Sequence, residues 1–197
     1  MERRNLHKKH PLTEAIISGK SSQKIAVFDL DETLIISSAQ VQVLDVHTQK
    51  VVAKMSSEEF NHFKELQSPK YKLSYKEFED IDILRNSTWI FTVMRQLLNF
   101  YNTGWHVGII TARSDAKMIK KFFDENGIRI HTDLIYAVND PAFGFTGGIS
   151  VRKKQAIHQL VDAGYKEFIF FDDHDENLIL AKEVENERGV TVKTVKV

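Results

Sequence analysis

Five short apolar runs punctuate the chain: Ile25 to Phe28, His106 to Ile110, Leu134 to Val138, Phe168 to Phe171, and the alternating Val190 to Val197. Four of them are nearly continuous in apolar residues, which predicts strands covered on both faces, as in a parallel sheet. Between them apolar positions recur at helical spacing. Thr88 to Tyr101 carries Ile90, Phe91, Met94, Leu97 and Leu98, and Asp115 to Asn126 carries Met118, Ile119, Phe122 and Phe123 before Gly127. Ser150 to Ala163 carries Val151, Ala156, Ile157, Leu160 and Val161 before Gly164; Asn177 to Glu187 carries Leu178, Ile179, Ala181 and Val184, and Gly189 follows. Glycine just past a helical pattern is a C-terminal stop signal. Strand and helix alternate, so right-handed crossovers predict an open α/β sheet with helices on both sides.

The stretch from Ile35 to Ser87 breaks this alternation and is too long for a plain loop in a compact domain. Val41 to Val46 and Val51 to Met55 are β-like, and His47-Thr48-Gln49-Lys50 between them reads as a hairpin turn. Ser56 and Glu59 have the spacing of a capping box at a helix start. Tyr71 to Leu84 mixes aromatic and charged residues without clean periodicity. The expectation is a small inserted cap, about residues 36–87, between the first and second strands of a catalytic domain spanning 24–197. Residues 1–23 are polar and precede the first strand, so they read as an N-terminal arm.

Composition narrows the picture only modestly. Lys plus Arg equals Asp plus Glu at 27 each, so no whole-molecule field gathers polynucleotide or anionic lipid. Cysteine is absent, which excludes disulfides and thiolate metal sites. No apolar run approaches the roughly 20 residues that span a bilayer, and the polar N-terminal run lacks a signal-peptide core. These features predict a soluble, cytoplasmic protein without membrane contact.

The chemistry gathers at strand ends. The first strand ends in Asp29, followed by Asp31 and Thr33; the second ends in Thr111, followed by Arg113; the fourth ends in Asp172 and Asp173, followed by His174. In an open parallel sheet, ligands bind beyond the carboxyl ends of the strands, so these groups are expected to share one crevice. Ser150 reads as an N-cap that sets Lys153 in the first turn of its helix, where a lysine and the helix dipole together favour an anion such as phosphate. Helix spacing favours Lys153 for the inward position, with Lys154, one residue on, as the alternative. Carboxylates from two strands repel unless a cation lies between them, and an all-oxygen donor set suits Mg²⁺. Arg113 reads either as a substrate contact or as the partner of Asp115 or of a carboxylate in the insertion. Gly147-Gly148 reads as a flexible helix entry, and His174 as a solvated loop residue.

Four ordered motifs resemble those of the haloacid dehalogenase superfamily of hydrolases. They are Val27-Phe28-Asp29-Leu30-Asp31-Glu32-Thr33; Ile109-Ile110-Thr111; Lys153 with Ala156, Ile157 and Leu160; and Phe170-Phe171-Asp172-Asp173. The chain also resembles phage-type members and, more loosely, the phosphatase domain of phage polynucleotide kinase. The resemblance implies a Rossmann-like core in which Asp29 is the nucleophile that becomes an aspartyl-phosphate. It makes Asp31 the general acid and base, and gives the phosphate oxygens to Thr111 and Lys153. It gives Mg²⁺ to the Asp29 carboxylate, the Asp31 main-chain carbonyl and Asp172, with Asp173 close by.

The function so predicted is Mg²⁺-dependent hydrolysis of a phosphomonoester. The substrate would be a phosphorylated small molecule, a nucleotide, or the 3′-phosphate of a nucleic-acid end. The competing reading is a non-enzymatic phosphoacceptor or phosphate-binding module with receiver-like chemistry.

Overall fold

The computed structural model describes residues 22–56, 59–60 and 69–197. In chain order its strands are β1 (Lys24–Phe28), β2 (Ile35–Ile36), β3 (Val41–Asp45), β4 (Val51–Met55), β5 (Tyr71–Ser74), β6 (Thr88–Trp89), β7 (His106–Thr111), β8 (Ile135–Ala137), β9 (Glu167–Asp172) and β10 (Thr191–Lys196). The α-helices lying wholly within the described residues are α1 (Ile81–Arg85), α2 (Phe91–Asn102), α3 (Ala116–Glu125), α4 (Ile149–Asp162) and α5 (Asp175–Arg188).

All five predicted core strands pair in parallel, in the order β10-β9-β1-β7-β8, to give an α/β sheet flanked by helices. The continuous apolar runs lie where two-sided burial demands them: Ile25 to Phe28 are fully buried, whereas the edge strand β10 alternates between buried and exposed positions. Phe28 and Phe171 are register partners, and their rings stack at 4.5 Å. Gly108 sits where a Cβ would lie 3.1 Å from the Leu134 carbonyl oxygen, so the residue's size sets how closely β7 approaches the start of β8. The chain runs outward from β1 through β7 to β8, then returns across β1 to β9 and β10. The topological switch point therefore lies between β1 and β9.

The segment between β1 and α2 builds separate sheets. β3 pairs antiparallel with β4 on one side and β5 on the other. Its hairpin turn is held by Asp45, whose carboxylate accepts from the amides of His47 and Thr48. The predicted capping box forms: the Ser56 amide donates to Glu59 at 2.8 Å, and the Glu59 amide donates to the Ser56 hydroxyl at 3.1 Å. The helix expected beyond Phe60 lies outside the described residues, as does the predicted arm up to residue 21.

Two expectations are corrected here. Thr88 and Trp89 are not the first turn of a helix; they form β6, which pairs antiparallel with Ile35 and Ile36. A β-branched and an aromatic residue found a strand partner there, and α2 starts only at Phe91, with Ile90 at its cap. This short pair closes the excursion at its root, so its contacts offset part of the entropy cost of closing a loop of that length. Secondly, Gly148 rather than Ser150 caps α4, so Lys153 falls in the second turn instead of the first.

Among the described residues, no helix is long and apolar enough to cross a membrane.

His106, at the start of β7, meets the Tyr165 hydroxyl through Nδ1. Burial, with His131 adding to it, holds its imidazole below the usual histidine range. The folded state then binds this proton less readily than the unfolded chain. Its contribution to stability is complete above about pH 6.5 and is lost as the pH falls through that region. Urea midpoints measured from pH 7.5 down to 5.5 should decline more steeply for the wild type than for His106→Gln; parallel profiles would refute this.

Candidate active site at the switch point

Asp29 immediately follows β1, where its amide donates to the Phe171 carbonyl at 2.9 Å and so continues the ladder towards β9. Its carboxylate is thereby aimed at the end of β9, where Asp172 and Asp173 follow Phe171. Lys153 reaches the same point from α4. Its Nζ lies 2.9 Å from Asp29 Oδ1 and 2.8 Å from Asp172 Oδ2, with the lysine only 3% exposed. Lys154, one residue on, turns away and pairs with Glu183 and Glu187 of α5. Asp172 is fixed from the other side: its Oδ1 accepts from the His174 amide at 2.9 Å and from Asn177 Nδ2 at 2.8 Å.

The electrostatics are those of a crowded anionic pocket. Burial drives the Asp29 carboxyl well above the usual carboxylate range; Lys153 opposes the shift, and Asp172 and Asp173 add to it. Asp173 is raised for the same reasons, burial first and then Asp172. For Lys153, burial would lower the pKa, but Asp29 and Asp172 outweigh it and keep the ammonium charged.

Carboxylate oxygens of Asp29, Asp172 and Asp173 lie within 4.8 Å of one another. With all three ionised, the carboxylates exceed one ammonium by two negative charges, which one divalent cation would balance. The donors are all oxygen, as a hard ion requires. Asn177 Oδ1, buried beside Asp172, has no hydrogen-bond partner among the described residues and adds another oxygen in want of one. The residues present therefore fit Mg²⁺.

Asp31 lies in the tight loop after β1, in which Glu32 takes a left-handed conformation with φ of 59°. The turn is closed by the Leu34 and Ile35 amides donating to the Leu30 carbonyl. Arg113 grips the Asp31 carboxylate with both prongs: Nε to Oδ2 at 2.9 Å and Nη2 to Oδ1 at 2.7 Å. Among the described residues, neither partner expected for Arg113, Asp115 or a carboxylate of the insertion, takes its side chain. The insertion contributes a carbonyl instead, since Nη1 donates to Phe78 O at 2.8 Å, and the guanidinium also lies over the Phe78 ring. Asp115 caps α3.

Thr111 ends β7 as expected, but it is 1% exposed, and its hydroxyl accepts from the Arg113 amide. Among the described residues that line the cleft, Thr111 and Asp172 are absent; both lie beneath its surface.

The cleft over these groups has a volume of about 760 Å³. Sequence reasoning missed much of its wall. Phe60, Tyr75 and Phe78 form an aromatic side supplied by the insertion, with Phe60 and Tyr75 edge to face at 5.9 Å. The only sequence signal for Tyr75 and Phe78 was their place in the stretch Tyr71 to Leu84 without clean periodicity, and for Phe60 its place just after the capping box. Asn139 and Arg152, hydrogen-bonded to each other at 2.7 Å, form another part of the wall. His174 is exposed, as expected of a loop residue, although it also precedes the first turn of α5.

No family model matches the chain, and no curated protein matches its sequence. Among solved structures, it is similar to a chain of the Pnkp1/Rnl/Hen1 RNA repair complex, at 14% identity and a TM-score of 0.52. The likeness covers 88% of this chain but 42% of that one, so this chain spans less than half the neighbour's length. At that identity the shared property is the fold: an α/β architecture with a parallel sheet.

Proposed function

We propose that this protein is a Mg²⁺-dependent phosphomonoester hydrolase of haloacid dehalogenase type, working through an aspartyl-phosphate on Asp29. One observation carries the reading: Asp29, Lys153, Asp172 and Asp173, remote in sequence, meet at the carboxyl ends of two adjacent strands. Asp29 would attack phosphorus while the ester oxygen leaves with a proton from Asp31. Asp31 would then take a proton from the water that hydrolyses the acyl phosphate. Lys153 would hold a phosphate oxygen, with Thr111 beneath and Arg113 orienting Asp31. Asp29, the Asp31 main chain, Asp172 and Asp173 would hold Mg²⁺. When bound, the ion supplies the charge neutralisation that lets a carboxylate approach a phosphate.

A cleft of about 760 Å³ has room for far more than a phosphate group, and the insertion would serve as a small cap over it. A nucleotide or a nucleic-acid 3′-phosphate suits that volume and the aromatic wall. The neighbour's place in an RNA repair complex supports the same substrate class. Phosphate release from p-nitrophenyl phosphate and from nucleoside 3′-phosphates should require Mg²⁺ and stop on chelation. Release that persists undiminished in excess chelator would sink the reading.

One observation favours the second reading, a phosphoacceptor without turnover. Both oxygens of Asp31 are engaged by Arg113, which leaves only their second lone pairs for proton transfer. Stoichiometric labelling of Asp29 by a small phosphodonor, without release, would select that reading.

A further inference from the structure

We propose that Arg152 forms a second anion subsite in this cleft, for a phosphodiester adjoining the phosphomonoester that Asp29 attacks. The inference deepens the phosphatase reading and rests on it. Among the described residues, three lysine and arginine side chains line the cleft. Arg113 is closed on Asp31, and Lys153 lies between Asp29 and Asp172. Among the described residues, Arg152 alone of the three has no carboxylate partner. Its Nε donates to the Gly147 carbonyl at 2.8 Å and its Nη1 to Asn139 Oδ1 at 2.7 Å, both neutral acceptors.

Those two bonds do something specific. Asn139 in turn donates through Nδ2 to the Ala112 carbonyl, so the guanidinium is braced against the loops that follow β7 and β8. That is the end of the sheet where Asp29 and Asp173 lie. A guanidinium has five N–H groups, and two are used here. The remainder belong to a half-buried, pre-positioned cation, which loses less freedom on binding an anion than a free surface arginine does.

A second feature points the same way. The N-terminus of α4 has no side-chain cap and no acidic residue of its own in the first turn, although the Glu176 carboxylate of α5 accepts from the Ser150 hydroxyl there at 3.1 Å; Gly147, Gly148 and Ile149 at that end line the cleft. Gly147 has φ of 90°, and a Cβ placed on Gly148 would meet nothing within 4 Å, so the backbone there is open to approach. The uncapped positive end of a helix and an arginine with no carboxylate partner among the described residues together favour an anion. The reacting phosphate already has Lys153. Arg152 therefore fits a second phosphate on the same substrate, which a phosphorylated oligonucleotide end has and a mononucleotide lacks.

The test compares thymidine 3′-phosphate with the thymidine dinucleotide that ends in a 3′-phosphate. The wild type should prefer the dinucleotide. Arg152→Gln should reduce the ratio of their kcat/KM values about tenfold, mostly through the KM of the dinucleotide, with Arg152→Lys in between. Equal losses on both substrates would mean that Arg152 only braces the Gly147 loop, and would overturn the proposal. Calorimetric binding of both ligands with Mg²⁺ to the Asp29→Asn protein, with and without Arg152→Gln, needs no turnover. There the dinucleotide Kd should rise about tenfold relative to that of the mononucleotide, and an unchanged ratio overturns the subsite. Failure of the phosphatase reading looks different, because the wild type would then turn over neither substrate. Should Arg152→Gln not fold, the Arg152→Lys comparison decides on the same ratios.

Discussion

Asp29→Asn should abolish phosphate release, by about 10⁴-fold or more, while leaving the protein folded. The amide keeps the shape of the carboxylate but cannot act as a nucleophile, and losing a nucleophile commonly costs a rate factor of this order. In free energy that is about 5 kcal/mol of transition-state stabilisation. Stability should change much less. Asp29 is 5% exposed and crowded by Asp172 and Asp173, so removing its charge relieves repulsion even as it weakens the contact with Lys153. Thermal unfolding and phosphate release measured on one preparation separate the two quantities. A variant within tenfold of the wild-type rate would show that Asp29 is not the nucleophile.

Lys153→Met should damage both stability and activity. The methionine fills a similar volume, but the ammonium it replaces is the cation that ion-pairs with Asp29 and Asp172. Removing one partner of a buried ion pair leaves uncompensated charge and costs about 3–5 kcal/mol. Activity should fall by about 100-fold or more, because the phosphate loses a charged contact in a partly desolvated site. Lys154→Met is the matched control. Its pairs with Glu183 and Glu187 lie near the surface, and their loss should cost about 1 kcal/mol or less. Mg²⁺ should restore part of the Lys153→Met deficit, since a divalent ion among Asp29, Asp172 and Asp173 stabilises the folded state by mass action. Urea denaturation of the two variants, with and without Mg²⁺, reads all three outcomes. Equal destabilisation by the two substitutions would contradict the buried position of Lys153.

The parallel core was legible because its signal is local. A strand buried on both faces must be apolar throughout, so Ile25 to Phe28 and Phe168 to Phe171 announce themselves without knowledge of their neighbours. Helix ends were legible to within a residue or two, and the misses have causes. Thr88 and Trp89 fitted the helical period of α2, but their strand partners, Ile35 and Ile36, lie more than fifty residues earlier, beyond any local window. Ser150 has the side chain of a good N-cap; its hydroxyl instead donates to Glu176 of α5, a contact between helices that spacing does not encode.

By itself, the sequence determined the alternating α/β core and the strand ends that bear Asp29, Thr111 and Asp172-Asp173, and it favoured Lys153 over Lys154 for the inward face. Each follows from residue type and a short period along the chain. Tertiary structure alone decided what those groups touch. The distance from Lys153 to both carboxylates, the closure of Arg113 on Asp31 and Phe78, and the freedom of Arg152 from any described carboxylate depend on loops meeting at one end of the sheet. A periodic pattern reports which face of an element is buried. Pair geometry depends on how several elements pack together, and no local pattern carries that.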